Sequence, residues 1–302
     1  MSLYDSTESP PWRGELRCNE PLARHNSWRV GGPAARLYRP TDAEDLAVFL
    51  RQLDPREPLE WIGLGSNLLV ADAGFAGTLI QTQGCLTGLR CLEDGALHAE
   101  AGVASAKAAR CAVHHGLSGL EFLAGIPGTI GGALAMNAGA WGAEIWDFVT
   151  EVTTIDRYGA THERQPGDFQ VGYRSVQGPP GEWFLAVQLH LTTGDPAVGA
   201  ARIRDLLARR SATQPIGQAS CGSVFRNPPG DHAARLIDAA GLKGLQIGGA
   251  MVSDQHANFI INRGAASAAD IHALIKRVAD VVEQTYDIRL IPEVRCIGGE
   301  PQ

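Results

Sequence analysis

The sequence predicts a mixed α/β protein of two or three domains, and three observations support this. At 302 residues the chain is too long for one small core. Hydrophobic residues make up 44% and charged residues 20%, the balance of a folded globular chain. Segments with strand and helix periodicity alternate along it.

In chain order, the first expected strand is Ala35 to Tyr38, ended by Pro40. Thr41 and Glu44 have capping-box spacing, and Leu46, Phe49, Leu50 and Leu53 follow on one helical face. Short strands at Trp61-Ile62 and Leu68 to Val70 flank a Gly-containing loop, which completes a small α/β unit. Asp94-Gly95 reads as a hairpin turn between Leu92 and Leu97 to Ala101. An Ala-rich helix is expected from Ser105 to His115. After a Gly/Ala stretch, Gly125 to Gly142, come strands at Val152 to Ile155 and Phe184 to Leu191, with a turn at Tyr158-Gly159 between them.

Gly194-Asp195-Pro196 reads as a domain boundary. Beyond it, three helices are expected. The first carries Ile203, Leu206 and Leu207 and ends at Arg209-Arg210. The second runs from Ala233 to Ala240 and stops at Gly241, and the third is capped by Ser267 and Asp270. A strand from Ile288 to Ile297 closes the chain.

Net charge is -7 and no basic run appears, which argues against a nucleic-acid partner. No stretch is apolar for the ~18 residues that a membrane span needs. The first residues lack the basic start and apolar core of a signal peptide, so a cytoplasmic location is expected. The six cysteines form no C-x-x-C pair, and reduced thiols fit that compartment. The nine histidines show no ligand spacing, so no metal site is expected.

The 36 glycines gather in a few loops. Gly63-Leu64-Gly65-Ser66-Asn67-Leu68 suits either a tight turn or an anion-binding nest. It lacks the G-x-G-x-x-G pattern of a Rossmann site. The run from Gly125 to Ala140 contains Ile126, Pro127, Gly128, Thr129, Gly131, Gly132, Asn137 and Gly139. Backbone buried in so small-residue a segment needs partners, which either close helix packing or a bound cofactor supplies. Three further segments carry polar groups. Tyr173-Arg174-Ser175 has one arginine beside two hydroxyls. Ser220 to Pro228 contains Ser223, Arg226 and Asn227. Ile291 to Val294 places Glu293 among apolar neighbours. Taken singly, each reads as ordinary surface or strand.

Together, in order from Asn26 to Glu293, these segments resemble the UDP-N-acetylenolpyruvoylglucosamine reductases. The resemblance rests on Asn26 to Gly32, Gly63 to Leu68, Gly125 to Ala140, Gly172 to Ser175, Gly222 to Pro228, Ala240 to Gly244, His256 to Phe259 and Pro292 to Val294. It implies an FAD module of the vanillyl-alcohol-oxidase type in two subdomains, 1–84 and 85–196, and a C-terminal α/β substrate-binding domain, 197–302. The short connection after Ser175 resembles the shorter form of the family. Two departures are Ser27, where members often have Thr, and Thr213-Gln214-Pro215, where many have Lys-Gln-Pro. If that Lys meets substrate phosphate, Arg209, Arg210 or Arg226 has to compensate.

The implied chemistry is NADPH-dependent reduction of UDP-N-acetylglucosamine enolpyruvate to UDP-N-acetylmuramate through non-covalent FAD, a step of peptidoglycan precursor synthesis. The resemblance makes Ser223 the proton donor, with Arg174 and Glu293 polarising the substrate carboxylate. Gly63, Gly65, Ser66, Asn67 and Leu68, with the Gly125 to Ala140 run, meet the cofactor. Tyr173, Arg226, Asn227, His256 and Asn258 meet substrate. The alternative is an FAD oxidase or dehydrogenase of the same fold acting on another carbon acid.

Overall fold

The computed structural model describes residues 10–299, and these contain both helices and strands throughout. The chain clusters into two compact units, and the first holds residues through Arg17, Arg36–Gly63 and Gly77–Gly199. The second holds Cys18–Ala35, Leu64–Ala76 and Ala200 onward. The expected segments 1–84, 85–196 and 197–302 are therefore not the compact units. The physical reason lies in the second unit's own pairings. Leu68–Val70 hydrogen-bonds in parallel with Arg295–Ile297, and the buried Trp28 indole N–H donates to the Ile260 carbonyl at 2.7 Å. These contacts tie two early segments to the C-terminal third.

In the first unit, Leu59–Ile62 pairs in parallel with residues 78–81 of the strand Phe75–Gln81, which the sequence reading missed. The helix Ala43–Leu50 begins one residue later than the Thr41 capping box required. Its cap is Asp42, whose carboxylate accepts from the Asp45 N–H at 2.9 Å. Asp45 turns back to accept from the N–H groups of Arg13 and Thr41 and from the Tyr38 hydroxyl. Leu46, Phe49, Leu50 and Leu53 are buried as their spacing predicted, against Tyr38 and Trp12.

A five-stranded sheet follows, ordered Thr161–Arg164, Val149–Asp156, Glu182–His190, Ala96–Glu100, Leu89–Cys91. Its last hairpin turns through Asp94 and Gly95 at φ 57° and 78°, the positive values for which Asp-Gly is suited. The helix Ser105–His114 buries Ala108, Ala109, Ala112 and Val113. Gln170–Gly172 and Ser175–Gln177 form a hairpin not read from the sequence, with Tyr173-Arg174 as its two-residue turn.

Gly194-Asp195-Pro196 is a helix start. The Asp195 carboxylate accepts from the Ala197 N–H at 2.7 Å, and the helix runs Pro196–Thr213 with proline at its first position. In the second unit, Ala219–Ser220, Ile260–Asn262, Ala250–Val252 and Gln246–Ile247 form an antiparallel sheet in that order. The helix Ala268–Tyr286 carries the expected Ser267/Asp270 capping box and buries Ile271, Leu274, Ile275, Val278 and Val282. The expected strand from Ile288 to Ile297 shrinks to Arg295–Ile297, because Pro292 has no N–H to extend a ladder.

Candidate functional site

The residues expected to be functional fall into two groups, one within each unit.

In the second unit, Phe225 and Pro292 form an isolated antiparallel bridge. On either side of it, the Glu293 N–H donates to the Val224 carbonyl at 2.8 Å, and the Arg226 N–H donates to the Ile291 carbonyl at 2.9 Å. Glu293 is thus paired beside the residue that follows Ser223. Gly222 holds φ 84° with no atom within 4 Å of where a Cβ would sit, so its backbone conformation, not crowding, calls for glycine. Ser223 and Glu293 are both half-buried.

Asn258 fixes this strand. It is buried, its Oδ1 accepts from the Phe225 N–H at 2.9 Å, and its Nδ2 donates to the Phe225 carbonyl at 2.8 Å. Its own carbonyl accepts from the Val224 N–H. Both ends of the Asn258 amide therefore clamp one residue next to the Ser223 segment, a positioning task. Asn227 likewise uses its Oδ1 to accept from the Ala233 N–H at 3.1 Å, at the start of the helix Ala233–Ala239. His256 packs edge-on to Phe259, accepts from the Asn258 N–H at its Nδ1, and is held toward the neutral form by burial. The Arg226 Nε is buried and makes no hydrogen bond.

The expected cofactor residues Gly65, Ser66, Asn67 and Leu68 also lie in this unit. A Cβ on Gly65, at φ 67°, would collide with the His25 carbonyl, and the Ser27 N–H donates to the Gly65 carbonyl at 3.1 Å. Asn67 reaches the Glu293 segment directly. Its Nδ2 donates to the Glu293 carbonyl at 3.0 Å, and its carbonyl accepts from the Arg295 N–H at 3.0 Å. The loop that sequence left open between turn and ligand loop thus holds Glu293 by its backbone.

In the first unit, Arg174 joins two of the singled-out segments. Its guanidinium donates to the carbonyls of Asn137 at 3.2 Å and Gly139 at 2.5 Å, and it lies 3.9 Å from the Glu144 carboxylate. Asn137 donates to Glu144 at 2.6 Å and to the Gly172 carbonyl at 3.1 Å. Arg174 also lies over the Tyr173 ring, its Cζ 5.2 Å from the centroid. At φ 53° it occupies a left-handed turn position unusual for arginine. Glu144 was not singled out from the sequence. No spacing marks it, because its partners come from two distant segments.

The Gly125 to Ala140 run folds as a turn, the short helix Ile130–Ala135 and a bend. Thr129 caps that helix through the Gly132 N–H. Part of the run's backbone is satisfied by the preceding segment. The N–H groups of Ile130 and Gly131 donate to Val103 and Ala101, and the Gly128 carbonyl accepts from Ser105. A Cβ on Gly63 would strike the Thr129 hydroxyl, so those two expected cofactor residues meet.

Two buried polar atoms have no hydrogen-bond partner, the Asn137 Oδ1 within this run and the Ser105 hydroxyl at the start of the helix Ser105–His114 beside it. Such groups are costly to bury unpaired, and a polar cofactor bound along the run would satisfy them. This acceptor and hydroxyl fit FAD on that count. Ser105 was not among the expected cofactor residues, and its only sequence signal was its place at the start of a helix.

Two family models match. One is described as an FAD binding domain, over residues 34–164, and the other as the UDP-N-acetylenolpyruvoylglucosamine reductase C-terminal domain, over residues 214–297. A relative named UDP-N-acetylenolpyruvoylglucosamine reductase from Alkalilimnicola ehrlichii is 59% identical over 94% of this chain and 95% of its own length. One of the same name from Methylococcus capsulatus is 57% identical over 95% of each. The crystal structure of the UDP-N-acetylenolpyruvylglucosamine reductase of Thermus caldophilus superposes with a TM-score of 0.78 at 34% identity. It covers 94% of this chain and 99% of that one. The expected FAD module, C-terminal reductase domain and oxidoreductase class agree with these matches. Among the described residues, no helix is long and apolar enough to cross a membrane.

Proposed function

Since the chain belongs to the UDP-N-acetylenolpyruvoylglucosamine reductase family, we propose that it reduces UDP-N-acetylglucosamine enolpyruvate to UDP-N-acetylmuramate with NADPH as hydride donor. This is a cytoplasmic step of peptidoglycan precursor synthesis. The observation that carries the reading is the pairing of the Ser223 and Glu293 segments, about seventy residues apart in sequence, through Val224.

FAD, when bound, would supply hydride transfer between NADPH and the terminal carbon of the enolpyruvyl double bond. The side chains then have two tasks. Negative charge developing on the neighbouring carbon spreads into the substrate carboxylate, and Arg174 and Glu293 stabilise it there. Glu293 does so by carrying or sharing a proton while the enolate forms. Ser223 gives its hydroxyl proton to that same carbon.

Fixed donors are most effective when they need no reorganisation, and the supporting contacts bear on this. Asn67 and Val224 hold Glu293 by its backbone, and Asn258 holds Phe225. Arg174 is anchored by two carbonyls of the Gly-rich run. Cys221 is a poor competitor as proton donor, since its thiol is buried.

In the first unit, Gly63, Gly128, Thr129, Asn137 and Ser105 hold the cofactor. Residues 65–68 support Glu293 as well as the cofactor. Tyr173, Asn227 and His256 face substrate. Arg226 is the replacement for the family lysine absent at Thr213. Its Nε makes no hydrogen bond, whereas the Arg210 Nε donates to Gln214. For the functional division we retain 1–84 and 85–196 for the cofactor and 197–302 for the UDP-sugar.

The test is anaerobic reduction of the purified yellow protein by NADPH, followed by UDP-N-acetylglucosamine enolpyruvate. Bleaching by NADPH and prompt recolouring by this substrate support the proposal. Recolouring only by oxygen would favour an oxidase acting on another carbon acid.

A further inference from the structure

Outside the residues assigned above, the fold brings two thiols and an imidazole together. Cys91 ends the edge strand Leu89–Cys91 of the five-stranded sheet. Cys111 lies in the last turn of the helix Ser105–His114, and His115 is its C-terminal cap residue. Cys111 and His115 are four apart, so they share one helix face. The two Sγ atoms are 3.9 Å apart, and the Cys111 Sγ is 3.8 Å from the His115 Nδ1. All three ligand atoms lie within 4.8 Å of one another.

We propose that Cys91, Cys111 and His115 form a binding site for a thiophilic divalent cation of the zinc type, stapling the sheet edge to the helix. The distances suit the ion. On a tetrahedral zinc with bonds of ~2.3 Å to sulfur and ~2.0 Å to nitrogen, two thiolates sit about 3.8 Å apart and a thiolate and imidazole about 3.5 Å apart. Two thiolates balance the charge of one divalent ion, and their protons leave to solvent on binding. The fourth position falls to water, since Cys91 and Cys111 are half-buried and His115 is exposed. The helix C-terminus adds partial negative charge, which favours a cation.

The His115 Nδ1 lies 2.8 Å from the Cys111 carbonyl oxygen. Coordination through Nε2 keeps this contact, which fixes the ring in the manner of many metal-binding histidines, and coordination through Nδ1 replaces it. The same pair of sulfurs could form a disulfide, but the His115 imidazole beside Cys111 adds a third ligand that a disulfide would not use. The spacing carries no zinc signature in sequence because the ligands come from a strand and a helix end.

The experiment uses the full-length, flavin-loaded protein stripped of metal by chelator. Zinc is titrated against a chromophoric chelator, and cadmium is followed by its sulfur charge-transfer absorbance. One equivalent should bind per chain with a cadmium–thiolate band. Cys91→Ser and Cys111→Ser should each weaken binding more than about 100-fold, beyond the 10–100-fold typical of outer-sphere partners, and His115→Ala about tenfold or more. The double variant Cys18→Ser/Cys296→Ser, at exposed cysteines, should bind as the parent does. Flavin content and circular dichroism of each variant establish that it is folded. The proposal is overturned if zinc does not bind, or if folded Cys91 and Cys111 variants bind it as well as the parent. It is also overturned if oxidised glutathione converts the pair to a disulfide in protein that takes up no zinc.

Discussion

The Glu293 N–H donates to the Val224 carbonyl at 2.8 Å, which pairs the carboxylate's segment with the residue following Ser223. Backbone hydrogen bonds of this kind fix where a side chain starts without using its polar atoms. The Glu293 and Ser223 side chains are thereby carried on braced segments.

Arg174→Ala should slow substrate reduction by about 10²–10³, the usual cost of one lost donor to a developing oxyanion. Arg174→Lys should rescue it only partly. A lysine offers no planar fork for the Asn137 and Gly139 carbonyls, and so loses the anchoring as well as the geometry. Turnover of both variants under saturating NADPH is the measurement, and normal turnover in the alanine variant would remove Arg174 from the reaction.

Gly128→Val should lose flavin. Gly128 sits at φ 154°, and a β-branched side chain strains that backbone within the Gly-rich run. The readout is the ratio of flavin to protein absorbance after gel filtration. An unchanged ratio would separate this loop from the cofactor. Acid precipitation of the parent protein should leave the colour in solution, since the run offers no His or Cys for a covalent link.

Asp45→Asn should destabilise the protein by about 1–3 kcal/mol, because Asp45 accepts from two N–H groups and the Tyr38 hydroxyl in a buried setting. Burial opposes the charged form, but those three hydrogen bonds outweigh it and hold the Asp45 pKa below its ordinary value. A carboxylate lowered on folding stabilises the native state above its unfolded value, and that contribution is lost as pH falls through the folded one. The gap in Tm between parent and Asp45→Asn should therefore be full at neutral pH and narrow in strong acid. A gap independent of pH would mean that charge at Asp45 plays no part.

Much of this was legible in sequence, for definite reasons. The buried faces of Ala43–Leu50 and Ala268–Tyr286 follow from periodicity, and the Ser267/Asp270 box from local spacing. The hairpin that places Arg174 in its turn was not legible, because arginine rarely adopts a positive φ and no Asn-Gly or Asp-Gly pair marks the turn. Nor was the work of Asn258 and Asn67. Each is a clamp on backbone distant in sequence, and a single amide gives no periodic signal. Asp195-Pro196 shows a boundary signal and a helix start signal sharing the same residues. The strand around Glu293 was overcalled because apolar composition outweighed the missing N–H of Pro292.

The most direct measurement is stopped-flow absorbance of the flavin in Ser223→Ala, with the two half-reactions observed separately. The Ser223 hydroxyl is asked only to give a proton to the substrate carbon. NADPH should therefore bleach the variant's flavin at close to the parent rate. Reoxidation by UDP-N-acetylglucosamine enolpyruvate should fall by about 10²–10⁴, the usual worth of a general acid. Ser223→Cys should lie between the two. Reoxidation at the parent rate in Ser223→Ala would contradict the account, since the proton would then come from another group.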